Sequence, residues 1–146
     1  MKISTKGRYA LQMMTDLAEH SRDGFVPLKD VAERQGISKN YLEQIIMQLN
    51  RDTDWLEATR GSSGGYRLSK APELYTVGDI MRLTEGSVLP DECEMCHSTD
   101  CSTHGGRALK VWRGLDRVMR EYLDAITLRD VLDGSETLRC SVPKSR

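Results

Sequence analysis

The sequence predicts a mainly α-helical fold with one small β-hairpin, and three stretches carry that prediction. Leu42, Ile45, Ile46 and Leu49 recur at i, i+3, i+4 and i+7, the spacing that gathers apolar side chains on one face of a helix. Residues 55–60 and 66–68 read as two strands around the Gly-rich tip Gly61-Ser62-Ser63-Gly64-Gly65. From about Arg107, the residues Ala108, Val111, Trp112, Leu115, Val118 or Met119, Tyr122 and Ile126 keep one apolar face. That is a helix of roughly 30 Å at 1.5 Å per residue.

A length of 146 residues sets the scale of about one domain. No apolar run is long enough to cross a membrane, and the amino end, Met-Lys-Ile-Ser-Thr-Lys-Gly-Arg, leads into an amphipathic helix and not a signal-peptide core. A cytoplasmic protein is expected. The formal net charge is −1, but residues 1–70 hold 11 Lys and Arg against 9 Asp and Glu, whereas residues 71–146 hold 10 against 13. Any phosphate-binding surface must therefore be local and amino-terminal.

In chain order, a first helix is expected from about Ser4 to Ser21, with Ala10, Met13, Met14, Leu17 and Ala18 as its buried stripe. Thr5, Lys6 and Arg8 lie at its amino end, where unpaired amides and the positive end of the helix dipole can take a DNA phosphate or simply face water. Leu28, Val31 and Ala32 mark a second short helix, and Gly36 supplies the left-handed turn that ends it. Ser38 then caps the helix of the Leu42 stripe, whose opposite face is Lys39, Asn40, Glu43, Gln44, Met47 and Gln48. This polar, amide-rich face suits base edges in a major groove. Helix, Gly turn and helix, followed by a hairpin with Arg60 and Arg67 flanking its tip, form a winged helix-turn-helix pattern. Any small helical domain can hold two short helices and a hairpin, but the order of the elements favours DNA binding.

Thr76-Val77-Gly78-Asp79 has capping-box spacing and precedes Ile80, Met81 and Leu83, so a short helix is expected from Val77 to Glu85, ended by Gly86. The long helix outlasts the small domain before it, and dimerisation is the economical way to cover it. Thr127–Asp130 repeats the capping spacing and starts one more short helix, which Gly134 ends. The expected organisation is a winged helix-turn-helix domain over 1–72, a connecting helix over 73–89, a ligand loop over 90–106, the dimerisation helix with a short terminal helix over 107–134, and a tail over 135–146.

The loop carries Cys93, Cys96, Cys101 and His104, spaced Cys-x2-Cys-x4-Cys-x2-His. In a reducing compartment such a cluster points to metal or redox chemistry before disulfides. Thiolates are the soft ligands of iron–sulfur clusters, and an imidazole in place of one thiolate raises the reduction potential. The same set would close a structural zinc site tetrahedrally, and a metal-free thiol loop is the third reading. His97 directly follows Cys96 and competes for the fourth position, while His20 and Cys140 read as a helix-surface histidine and a tail thiol. A thiol-redox enzyme or a Cys/His nucleophile pair would need surroundings the chain lacks: no strand–helix alternation, phosphate-cradling loop or triad pattern is present. No catalytic activity is expected. A regulator that answers to a partner protein, with the cysteines incidental, is the remaining class.

The run Met1-Lys-Ile-Ser-Thr-Lys-Gly-Arg-Tyr-Ala10, the run Gly36-Ile-Ser-Lys-Asn-Tyr-Leu-Glu-Gln44 and the run Arg60-Gly-Ser-Ser-Gly-Gly-Tyr-Arg67 resemble the signature stretches of the bacterial winged-helix repressors that include IscR, NsrR and CymR. The resemblance spans about residues 1–130. It implies a homodimer that binds double-stranded operator DNA, held together by a long helix, and in many members an iron–sulfur cluster that senses cluster supply, nitric oxide or redox state. It sets Ser38, Lys39, Asn40, Tyr41, Glu43 and Gln44 at the major groove, and Arg60, Gly61, Ser62 and Ser63 at a wing tip in the minor groove. Thr5, Lys6, Gln48 and Arg67 complete the expected DNA contacts. Cys93, Cys96, Cys101 and His104 match the family's cluster ligands in order and location, with a [2Fe-2S] form favoured over [4Fe-4S] and zinc as the alternative. Three features depart from the family pattern: Ser62-Ser63 replaces a frequent Pro-Gly, Asn50–Asp54 replaces a shorter Gly-containing turn, and the first cysteine pair is closer than usual.

Overall fold

Ser4 starts the first helix by accepting the Gly7 amide at 3.4 Å, and the elements that follow build outward from that helix in the computed structural model, which describes residues 3–86 and 106–134. The helices are α1 (Thr5–His20), α2 (Leu28–Gln35), α3 (Lys39–Leu49), α4 (Val77–Glu85), α5 (Gly106–Asp124) and α6 (Leu128–Leu132). Between α3 and α4 lies an antiparallel hairpin of β1 (Leu56–Thr59) and β2 (Gly65–Leu68). This is the mainly helical winged fold that the periodicities predict.

Ala10, Met13, Met14 and Leu17 of α1 are fully buried, and Val31, Leu42, Ile45 and Leu49 pack with them. Gly36, at φ 64°, sits in the left-handed region where glycine meets no side-chain penalty, and it turns α2 into α3. Asp16 fixes the geometry of that turn from below. Only 2% exposed, it accepts Arg34 Nη2 at 2.6 Å, Arg34 Nε at 3.0 Å and Gln35 Nε2 at 2.8 Å, so the end of α2 is tied to α1. Burial alone would raise the Asp16 carboxyl, but the hydrogen bonds from Arg34 and Gln35, with the charges of Arg34 and His20, hold it below the usual carboxylate range.

The hairpin pairs Leu56 with Leu68, Glu57 with Arg67, Ala58 with Tyr66 and Thr59 with Gly65, so Gly65 belongs to the strand and not to the tip. Its lack of a side chain is the reason, since a Cβ there would collide with the Val26 carbonyl and stand 2.8 Å from the Pro27 nitrogen. Val26 and Tyr66 exchange backbone hydrogen bonds of 2.8 Å each, which fastens the wing to the segment before α2. Two side chains finish the root. Asn50 accepts the Leu56 amide at 3.1 Å and donates to the Leu56 carbonyl at 2.9 Å, standing in for a neighbouring strand. Tyr75, buried and edge-on to Trp55 at 5.1 Å, donates its hydroxyl to the Trp55 carbonyl at 2.9 Å and accepts the Lys70 amide at 3.0 Å.

The helix expected as a connector is part of the core. Ile80 of α4 and Leu128 of α6 are buried in the same cluster as α1 to α3, because the stripe Val77, Ile80, Met81 and Thr84 needs a cover that α1 provides. Val77 donates to the Ile126 carbonyl at 2.8 Å and Leu128 to the Tyr75 carbonyl at 2.9 Å, so α6 returns beside the start of α4. Both helices start where expected: Thr76 accepts the Asp79 amide at 3.0 Å, and Thr127 and Asp130 form the full reciprocal capping box. Helix α5 rests on α4 through half-buried Met119 and Leu123 and the Arg82–Asp124 pair at 2.7 Å. Among the described residues Val111, Trp112 and Val118 of this helix stand exposed, at 64%, 57% and 55%.

Candidate nucleic-acid interface

Ser38 caps α3 by accepting the Tyr41 amide at 3.3 Å, which leaves its hydroxyl proton free to donate outward. From there Lys39, Asn40, Glu43, Gln44 and Met47 are exposed along α3, while the opposite stripe is buried. Lys39 and Glu43 lie 3.6 Å apart in an exposed pair worth at most about 1 kcal/mol, so both can exchange partners for DNA. Tyr41 is half-buried and meets Tyr9 of α1 edge-on at 5.7 Å. The first turn of α3 is thereby fastened beside the amino-terminal part of α1.

On α1, Thr5 is exposed and Lys6 half-buried. The helix terminus they flank, open by sequence to a phosphate or to water, already carries an anion of the chain itself. Glu85, the last residue of α4, accepts the Gly7 amide at 2.9 Å and the Ser4 hydroxyl. At the wing, Arg60, Gly61, Ser62 and Ser63 are all exposed. Gly61, at φ 110°, has the conformation a side chain would resist, and the Gly64 amide closes the tip on its carbonyl at 3.0 Å.

Two expected contacts point elsewhere. Gln48 lies about 40° round the helix from Gln44 by the 3.6-residue turn, enough to leave the outer face. Half-buried, it donates its amide to the Leu83 carbonyl at 2.9 Å and the Thr84 carbonyl at 3.0 Å. Arg67, cross-strand from Glu57, is half-buried and held by that carboxylate at 2.6 Å, with its guanidinium 4.5 Å above the Phe25 ring. In this position it braces the wing. Glu85, Tyr9 and Tyr75 are the residues that sequence reading missed, and their partners lie too far along the chain or on other helices for any local pattern to expose them.

Cys93, Cys96, Cys101 and His104 lie outside the described residues. Among the described residues no group of three His, Cys, Asp or Glu could hold a metal ion, and no helix is long and apolar enough to cross a membrane.

The described surface offers donors and acceptors on α3, an exposed arginine on a narrow tip and helix-end groups on α1, which is equipment for reading DNA. Known proteins share the sequence and the fold. The family model described as Rrf2, an iron-dependent transcriptional regulator, matches residues 3–134. The HTH-type transcriptional regulator IscR of Aliivibrio salmonicida is 38% identical over 143 residues, covering 97% of this chain and 83% of that protein. IscR of Erwinia tasmaniensis is 39% identical over 142 residues, covering 94% and 82%. Among solved structures, T. potens IscR matches with a TM-score of 0.71 at 40% identity, covering 97% of this chain and 93% of that one. CymR, the global cysteine regulator of B. subtilis, matches with a TM-score of 0.76 at 34% identity, covering 92% and 98%. The chain belongs to the Rrf2 family: it is a DNA-binding transcriptional regulator of the IscR type and not an enzyme.

Proposed function

We propose that this regulator works in the cytoplasm as a symmetric dimer on operator DNA, and that an iron–sulfur cluster held by Cys93, Cys96, Cys101 and His104 controls it. The observation that carries the dimer is the exposed stripe of α5. Val111, Leu115, Val118 and Tyr122 follow one another at i, i+4, i+7 and i+11, and all but Leu115 are exposed. An exposed apolar helix face of that kind marks an interaction surface, and a second copy of the same face would cover it with two-fold symmetry, which would also present two copies of α3 to successive half-sites.

The cluster reading rests on donor chemistry and chain position. Three thiolates and one imidazole fit the ligand set of an iron–sulfur centre, and the description of the family as iron-dependent agrees with it. When bound, such a group supplies a reversible one-electron change and a site that oxidants or nitric oxide can destroy. The protein's own part is to turn loading into DNA affinity, and the ligand run falls between the end of α4 and the start of α5. It stands next to the proposed dimer helix on one side and to the helix packed on α1 and α3 on the other.

The deciding experiment is iron and acid-labile sulfide content per chain, with a visible spectrum, on protein purified without oxygen. Colour with matched iron and sulfide supports the cluster, and their ratio to chain distinguishes two-iron from four-iron forms. Zinc without colour assigns the loop a structural metal. Neither metal, together with unchanged operator binding in Cys96→Ala, moves control to a partner protein.

A further inference from the structure

The carboxyl end of α4 is gripped by two helices of the reading surface. Gln48 of α3 donates to the Leu83 and Thr84 carbonyls at 2.9 and 3.0 Å, two of the terminal carbonyls that a helix cannot satisfy within itself. One residue on, the Glu85 carboxylate accepts the Gly7 amide at 2.9 Å and the Ser4 hydroxyl, at the amino end of α1, where the Ser4 cap alone holds the Gly7 amide at a longer 3.4 Å. The fit is close: a Cβ on Gly7 would collide with Glu85 Oε1 and stand 2.9 Å from Met81 Cε. Thr84, buried between these two contacts, returns its hydroxyl to the Ile80 carbonyl at 2.9 Å, so the turn that carries them is itself held.

We propose that Gln48 and Glu85 are positioning residues for DNA recognition, which make the last turn of α4 a clamp that sets α1's first turn against α3. Thr5 and Lys6 ride on the α1 side, and the exposed face from Ser38 to Met47 rides on the α3 side. Specific recognition needs phosphate-facing and base-facing groups in fixed register, whereas random DNA needs only charge. The clamp therefore acts on the ratio between specific and random binding. This inference rests on the DNA-reading surface and not on the cluster.

Substitution at Glu85 separates the clamp from two simpler roles. Glu85→Gln keeps an oxygen that can accept from Gly7 and Ser4 but loses the charge that repels phosphates, while Glu85→Ala loses both. Gln48→Met keeps the bulk of the other jaw and removes its donors. The probes are a duplex selected by the wild-type chain from a random pool and a scrambled duplex of equal length, each titrated with the full-length protein. The same variants are repeated in a Cys96→Ala background, which holds the clamp result apart from any failure of the cluster reading.

Glu85→Ala and Gln48→Met should each weaken the selected duplex by about tenfold, as expected for a lost hydrogen bond at a charged or helix-end group, and scrambled DNA by less than about twofold. Glu85→Gln should restore the selected duplex to near the wild-type value. If Glu85→Ala and Glu85→Gln both tighten both duplexes, Glu85 acts only by charge and the clamp is wrong. Equal losses on both duplexes, accompanied by lower thermal stability, would reduce the contacts to a structural role and likewise overturn it. Persistence of the effect in the Cys96→Ala background supports a clamp that works whether or not a cluster is bound.

Discussion

Helices α3 and α5 are both amphipathic, yet among the described residues α3 has its apolar stripe buried and α5 leaves much of its own exposed. On α3, Leu42, Ile45 and Leu49 are fully buried and the outer face is polar apart from Met47. On α5, Leu115, Met119 and Leu123 are half-buried, while Val111, Trp112 and Val118 stand open. The same periodicity thus has two physical meanings. A stripe that the fold can reach becomes core, and the exposed stripe of α5 is the one proposed above to meet a second copy.

The largest effect that tests this contrast is a charge placed on each stripe. Ile45→Asp should cost about 4 kcal/mol or more, because an unpaired carboxylate would enter the core, and helical circular dichroism should be lost at room temperature. Val118→Asp should keep the helical signal and melting profile at high dilution while sedimentation shows a monomer that scarcely binds operator. If Val118→Asp unfolds the chain, α5 is core after all.

The frame beneath α3 comes next. Arg34→Ala would leave Asp16 buried without its cation, at a cost of about 3 kcal/mol, while the oligomeric state set by α5 should not change. The pH dependence has a definite sign. Because the folded Asp16 carboxyl lies below its ordinary value, it contributes stability above the unfolded carboxylate value, about 3.9, and that stability is lost as pH falls through the lower folded value. Asp16→Asn should therefore flatten the stability curve below about pH 4, measured by chemical denaturation across pH.

Smaller effects belong to single contacts on the two DNA-facing elements. Gln44→Ala should lose about 1–3 kcal/mol on a specific site and relax base preference, whereas Arg60→Ala should weaken specific and random DNA together and lessen the salt dependence. Fluorescence anisotropy over a range of salt concentrations separates the two. The smallest change is Lys39→Ala, which opens an exposed pair and should alter folding stability by less than about 0.5 kcal/mol.

Local periodicity and capping made the fold legible. The spacing at Thr76 and Thr127, the Leu42 stripe and the Gly-rich tip each act over a few residues, and the helices and hairpin lie where those signals put them. What a pattern could not convey was contact across the chain. Nothing around Glu85 announces a partner at Gly7, and nothing around Gln48 announces the carbonyls of Leu83 and Thr84. Gln48 illustrates the limit well: its type and spacing suit a DNA contact, and only the approach of α4 uses it otherwise. Arg67 shows the same limit, since no local pattern reveals that a cross-strand glutamate and a distant phenylalanine meet its guanidinium.

The bridge between Thr76 and Thr127 has a consequence for how such a regulator can change over evolutionary time. With Val77 bonded to Ile126 and Leu128 to Tyr75, the start of α4 and the end of α5 meet at one stapled point, and the stretch of chain between α4 and α5 is bounded by helices seated there. Its two ends stay put whatever its length. Closing a loop twice as long costs only about 0.6 kcal/mol more, so the stretch that carries the cysteines can gain, lose or respace residues while the hairpin and its helices keep their seating. The departure of Cys93 and Cys96 from the usual family spacing is the kind of variation this architecture tolerates: an exchangeable cartridge on an unchanged reading head.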